Sequence, residues 1–225
     1  MSSAHSSNRL PITKLILVPA IITLAITLLR LAGELEHWSE TFFSRQAGGG
    51  LALVGISWMA PIFGIYFAIK LAHSGEGPKS VGMAILWSIL GLVPVAAGIF
   101  CFARSGFNSP LWAVLAMALI FAGALVPAMG WTSLFKVLLA YAYAARIPVV
   151  IIMFFAIQGN WGTHYDVRGP GFPAGLGFWQ TYFYIAFLPQ MFMWIAYTTI
   201  TGSLFGSIAA VFAKRPGHSE IAQPA

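Results

Sequence analysis

Charge is what this sequence has least of. Asp, Glu, Lys and Arg together make up 8% of its 225 residues, against about 25% in soluble globular domains. Hydrophobic residues make up 59%, and one water-soluble core of this size cannot hide them, so lipid is the solvent for much of the surface. Carboxylates are the scarcest charge, six in all, and none lies near the centre of an apolar run. That argues against a proton relay, which needs titratable groups in a chain across the membrane. Cysteine occurs once, as Cys101; an intramolecular disulfide, a CxxC redox pair and a cysteine zinc site are thereby excluded. P-loop, G-x-S-x-G and H-E-x-x-H patterns are missing, and Gly48, Gly49 and Gly50 lead into an apolar run with no strand before them. No cofactor and no metal are expected. The twelve Lys and Arg are scattered in ones and twos, so there is no basic patch for nucleic acid; the expected partners are the bilayer and a second membrane protein or copy of this chain.

What the sequence does have is long apolar segments. A membrane helix needs about 20 apolar residues, and the pattern predicts six: 11–33, 51–72, 81–103, 111–130, 134–157 and 189–213. The last follows an amphipathic stretch, 176–188, expected to lie at the interface and to bend at Pro189. The first run follows Arg9 and Lys14 like a signal peptide, but Leu31-Ala-Gly-Glu34 is a poor cleavage site and the run reads as a retained anchor. The fold class is therefore all-α, a single-domain polytopic membrane bundle of six helices. Arg9, Lys14, Lys70, Lys79, Lys136, Lys214 and Arg215 fall on the side of the termini, and Arg30, Arg45, Arg104 and Arg168 on the other. By the positive-inside rule both termini are cytoplasmic, and a bacterial cytoplasmic membrane is the expected location.

Within this frame few residues carry chemistry. Arg146, in Tyr141-Ala-Tyr143-Ala-Ala-Arg146-Ile-Pro148, sits mid-span, where an arginine costs about 2.5–3.5 kcal/mol on insertion. It must face the bundle, either in an anion, lipid-headgroup or proton pathway or paired to carbonyls freed by Pro148 or to the hydroxyls of Tyr141 and Tyr143. A second group gathers on the outer face: Glu34, Glu36, His37 and Glu40 after the first helix, and His164 and Asp166 in the last outer loop. Glu34-x-x-His37 has the i, i+3 spacing of metal-binding bundles but lacks their second copy, and solvated surface groups are the simpler reading. Gly202-x-x-x-Gly206, extended by Ala210, is a small-residue face for close packing within the chain or between copies. The eight tryptophans fall mostly near span ends, as in an interfacial belt.

The loop 159–173, GNWGTHYDVRGPGFP, combines turn residues with Trp161, Tyr165 and Phe172. It is expected to fold over the outer end of the bundle, with Asp166 turned to Arg30 or Arg146 and Trp161 anchored at the interface. Ser133 to Pro148, with Phe135-Lys136 before the Tyr-Ala run and proline, resembles a pattern of Yip1-type membrane proteins over sixteen residues. Asn160-Trp-Gly-Thr-His-Tyr-Asp166 is similar to an extracytoplasmic stretch of bacterial multi-pass proteins, and implies no activity. A non-enzymatic membrane scaffold is the first functional reading and a small-solute, anion or lipid transporter centred on Arg146 the alternative; an enzyme or metal site at the outer cluster is third. A cavity reaching Arg146 would favour transport, and convergence of His37, His164 and Asp166 would favour the enzyme.

Overall fold

The computed structural model describes residues 10–50, 52–105 and 109–213. Arg9, Lys214 and Arg215, used above for orientation, lie outside them. Every regular element described is helical: α1 (Ile12–Leu35), α2 (Met59–His73), α3 (Val81–Leu90), α4 (Leu92–Ser105), α5 (Pro110–Leu125), α6 (Thr132–Gly159), α7 (Phe178–Tyr182) and α8 (Trp194–Phe212). Five helical segments are long and apolar enough to cross a membrane, namely Ile12–Leu35, Val81–Arg104, Leu111–Met129, Thr132–Gly159 and Phe178–Phe212, and α2 is a shorter apolar sixth. The protein is a polytopic all-α bundle. Large apolar side chains such as Leu17, Ile21, Leu28, Val93, Phe100, Leu111 and Phe212 stand exposed on its helices, as contact with lipid requires.

Proline shapes several of these helices. Pro94 cannot donate a hydrogen bond, and its ring crowds the carbonyl four residues earlier, which is where α3 ends and α4 begins. In α2, expected from residue 51, Pro61 similarly opposes a regular turn reaching back to Ser57, and the helix starts at Met59. Residues 53 and 54 pair instead with the preceding loop, Leu53 N–H donating to Thr41 and Val54 N–H to Phe42. The third difference is at Pro189. No break separates 176–188 from 189–213; α7 runs into α8 through two π-helical stretches, Phe183–Phe187 and Pro189–Met193. A wider turn accommodates a residue that cannot make the i→i−4 bond, and α6 packs along this rod.

α8 is the centre of the bundle, packed against α2, α3, α5 and α6, while α1 packs on α6 and α4 on α5. Glycine sets the closest of these approaches. A Cβ on Gly64 of α2 would strike the backbone of Gly202, 2.5 Å from its Cα, and one on Gly206 would lie 2.6 Å from the Gly64 carbonyl oxygen. The small-residue face of α8 is thus occupied by α2 of the same chain, and Ala210 packs on the same core. Gly91 and Gly123 form a second such crossing, a Cβ on either meeting the carbonyl oxygen of the other. At one end Trp131 Nε1 donates to the Glu76 carbonyl, tying the α2–α3 and α5–α6 connections together. At the other end the long connections 36–58 and 160–177 are both tied to the last turns of α1.

Candidate functional site

The end of α1 and the loop after α6 build a buried ionic cluster. Glu34, in the last turn of α1, is 1% exposed. One turn earlier, Arg30 Nε donates to Glu34 Oε1 at 2.7 Å, the i, i+4 geometry that a helix provides. Arg30 Nη2 continues to the carbonyls of Ser44 and Gly49 at 3.1 and 2.9 Å, so the guanidinium staples the 44–49 loop to α1. From the far side, His164 N–H donates to Glu34 Oε2 at 2.8 Å and its Nδ1 meets Oε1 at 2.5 Å. Next to it Tyr165, 3% exposed, donates to the Thr27 carbonyl. A buried carboxylate this well surrounded satisfies the rule that buried charges are paired and hydrogen-bonded.

The 159–173 loop therefore does fold onto the bundle, but through other residues than expected. Asp166 does not turn to Arg30 or Arg146. Its carboxylate accepts from Gly162 N–H, Thr163 N–H and Thr163 Oγ1 at 2.9, 2.8 and 2.7 Å, closing its own turn. Short Asp side chains compete well for such local donors, and Glu34 already fills the place beside Arg30. The rest of the outer group does not converge. Glu36 and His37 are exposed, His37 at φ 55 with Nδ1 against the Leu35 carbonyl. Exposed Glu40 pairs with half-buried Arg45 at 2.6 Å, which holds its carboxyl below the usual range. Trp161 is 38% exposed. Among the described residues no group of three or more His, Cys, Asp or Glu is placed to hold a metal ion.

Burial pushes His164 below the usual imidazole range, with the Glu34 hydrogen bond pulling the other way and Arg30 adding to the downward shift; Glu34 and Asp166 attract the proton. The unfolded chain takes up that proton near pH 6.5 and the folded one only at lower pH. Stability is therefore full above about pH 6.5 and declines as the pH falls below it. The melting temperature in lipid nanodiscs should drop between pH 7.5 and 5.5, and less steeply for His164→Asn; parallel profiles would show that His164 is not the group responsible.

Arg146 lies near the middle of α6, about 20 Å along the helix from Gly159, and is 5% exposed. Neither Tyr141 nor Tyr143 holds it. Tyr141 shares a 2.7 Å hydrogen bond with Thr23 of α1 and sits edge-on to Phe63 and Phe67, while Tyr143 is half-buried. The partners come from the π-helical rod: Nη1 donates to Gln190 Oε1 at 3.3 Å, and the guanidinium lies over the Trp194 ring, 4.4 Å from its centroid. Gln190 in turn donates to Met153 Sδ at 3.6 Å. Among the described residues, Nε of Arg146 is buried with no hydrogen-bond partner and no carboxylate is within ion-pair distance. Nothing in the sequence singles out Gln190 and Trp194: they stand one helical turn apart, four residues, in a charge-free segment, and Trp194 reads there as one more belt residue.

A cavity of about 490 Å³ connects the two centres. Arg30, His164 and Tyr165 line it near the loops, and Arg146, Gln190 and Trp194 line it deeper in the bundle. Beyond Arg146, toward the opposite end of α6, the way is filled: Phe67, Leu134, Leu138 and Tyr141 are each at most 2% exposed in one packed cluster. The lining thus runs from the loop residues to an arginine that has no carboxylate partner among the described residues.

Comparison with known protein families, with curated proteins and with solved structures returned no match.

Proposed function

We propose that this protein is a membrane carrier that binds an anion from the loop face and holds it at Arg146. One observation carries the reading: a cavity is lined by a buried guanidinium that, among the described residues, has neither a carboxylate nor a full set of acceptors. Intramembrane arginine is costly, and a buried cation is strongly destabilising when unpaired. An anionic ligand supplies the missing charge and acceptors. Arg30 lines the same cavity but is already neutralised by Glu34, so binding charge is concentrated at Arg146. The packed aromatic cluster around Tyr141 suits the closed side of an alternating-access cycle. A scaffold has no use for such a chamber, and of the outer histidines and carboxylates only Glu34 and His164 come together, with Glu36, His37, Glu40 and Asp166 apart from them.

The loop face is assigned to the non-cytoplasmic side on the distribution of Lys and Arg. With Cys101 replaced, Lys79→Cys should be modified only by reagent added on the cytoplasmic side. Ala174→Cys, exposed in the last outer loop, should react only from outside. Both reacting from one side would end this orientation and the alternation of helices behind it.

The function itself is tested in proteoliposomes by recording charge movement on jumps of chloride, phosphate, acetate or decanoate. At least one anion should be translocated by the wild type and none by Arg146→Gln. A second measurement separates a ligand-binding arginine from a packing arginine. Without anion, Arg146→Gln should melt no lower than wild type, because it removes an uncompensated buried charge. A large loss of stability together with no flux by the wild type would make Arg146 a structural residue.

A further inference from the structure

The cavity's walls say more about its occupant than its charge does. An inorganic anion would occupy only a small part of about 490 Å³, a volume in the range of pockets that enclose drug-sized organic molecules. The cavity lining combines polar Thr27, Arg30, Ser57, His164 and Gln190 with apolar Ile56, Val149, Met153, Ile185, Met193 and Trp194. The apolar lining comes mainly from α6, with Val149 and Met153, and from the π-helical rod, with Ile185 and Met193. Such a surface would leave water unfavourably placed around a small hydrated anion and would bury apolar atoms of a larger one. Met153 and Met193 add adaptable, polarisable contacts suited to chains of variable shape.

We infer that the ligand is an amphiphilic anion: one acidic headgroup, phosphate or carboxylate, on Arg146 and Gln190, with an apolar body lying along Val149, Met153, Ile185 and Met193. This rests on the anion-carrier reading and narrows it. The headgroup meets the guanidinium where it lines the cavity, and the planar fork of N–H donors suits an oxyanion able to accept more than one hydrogen bond. The body replaces water along the apolar wall. Trp194 covers the guanidinium face, which leaves the guanidinium edge for the oxyanion. The same chemistry is available from a lipid of the bilayer or from a soluble amphiphile, and the difference between them is only the route of entry.

The test is thermal stability of the full chain in phosphatidylcholine nanodiscs with four added probes: decyl phosphate, inorganic phosphate, acetate and decanol. Decyl phosphate at a hundredfold excess over its dissociation constant should raise the melting temperature by about 5 °C or more, with phosphate, acetate and decanol at equal concentration giving little. Arg146→Gln should abolish the rise, and Ile185→Trp, which fills the apolar wall and leaves Arg146 in place, should reduce it at least tenfold in affinity. If phosphate or acetate stabilises as well as decyl phosphate, the amphiphile is overturned while the anion site stands. If decanol does as well, or nothing binds, the anion reading falls with it. Discs containing phosphatidylglycerol identify the source: stabilisation by the disc itself, with loss of the decyl phosphate effect, marks a bilayer lipid, and an undiminished effect marks a soluble amphiphile.

Discussion

Glu34→Gln should cost about 3–5 kcal/mol, the penalty for breaking a buried pair by removing one partner, or roughly 6–20 °C in melting temperature for a chain of this size. Glutamine has nearly the shape of glutamate, so the loss is electrostatic. Arg30 Nε and the His164 imidazole lose the carboxylate they share, in a place where Glu34 is 1% exposed. Both long connections on that end are attached through this group, 44–49 by Arg30 and 163–165 by His164. Protease sensitivity in both should therefore rise together. Arg30→Gln combined with Glu34→Gln should cost clearly less than the sum of the two, since they remove one interaction. A loss under about 1 kcal/mol for Glu34→Gln would place the cluster with solvated surface pairs.

Gly64→Ala should be nearly as damaging, although it adds a single methyl group to a helix. Alanine is favoured over glycine in helices by about 1 kcal/mol, yet at Gly64 the new Cβ runs into the Gly202 backbone. Backbone cannot rotate away as a side chain does, so α2 must move off α8, at a cost of about 3 kcal/mol or more, the upper end for overpacking. Gly82→Ala in α3 is the control: no atom lies within 4 Å of its Cβ position, and it should be neutral or stabilising. Equal behaviour of the two variants would show that α2 and α8 do not meet at Gly64.

The sequence made the bundle legible because hydropathy reports on solvent. A bilayer imposes a minimum length on apolar segments, and the ends of α1 and α6 fall within a few residues of where that pattern stops. It also showed that Arg146 must face inward, since the cost of exposing it to lipid does not depend on its neighbours. Hydropathy carries no information on which helices adjoin. Glu34 and His164 both stood out as polar groups on one face, yet their contact joins residues 130 positions apart, and Asp166 looked like the better acid for an arginine. Its preference for donors within its own turn is a local effect that composition does not display. Gln190 and Trp194 were hidden for a related reason. They reach Arg146 because the chain continues as a helix through Pro189, where proline normally signals a break.

The central claim, an anion held at Arg146, is tested most directly by ¹⁹F NMR of the protein labelled with fluorotryptophan. Trp194 lies 4.4 Å from the guanidinium, and its resonance is identified by its loss in Trp194→Phe. On titration with decyl phosphate in nanodiscs, the account predicts a saturable shift of the Trp194 resonance in the wild type and none in Arg146→Gln, with Trp38 and Trp112, at other sites on the bundle, unmoved in both. A Trp194 resonance that stays still in the wild type while the anion binds, or that shifts equally in Arg146→Gln, would contradict it.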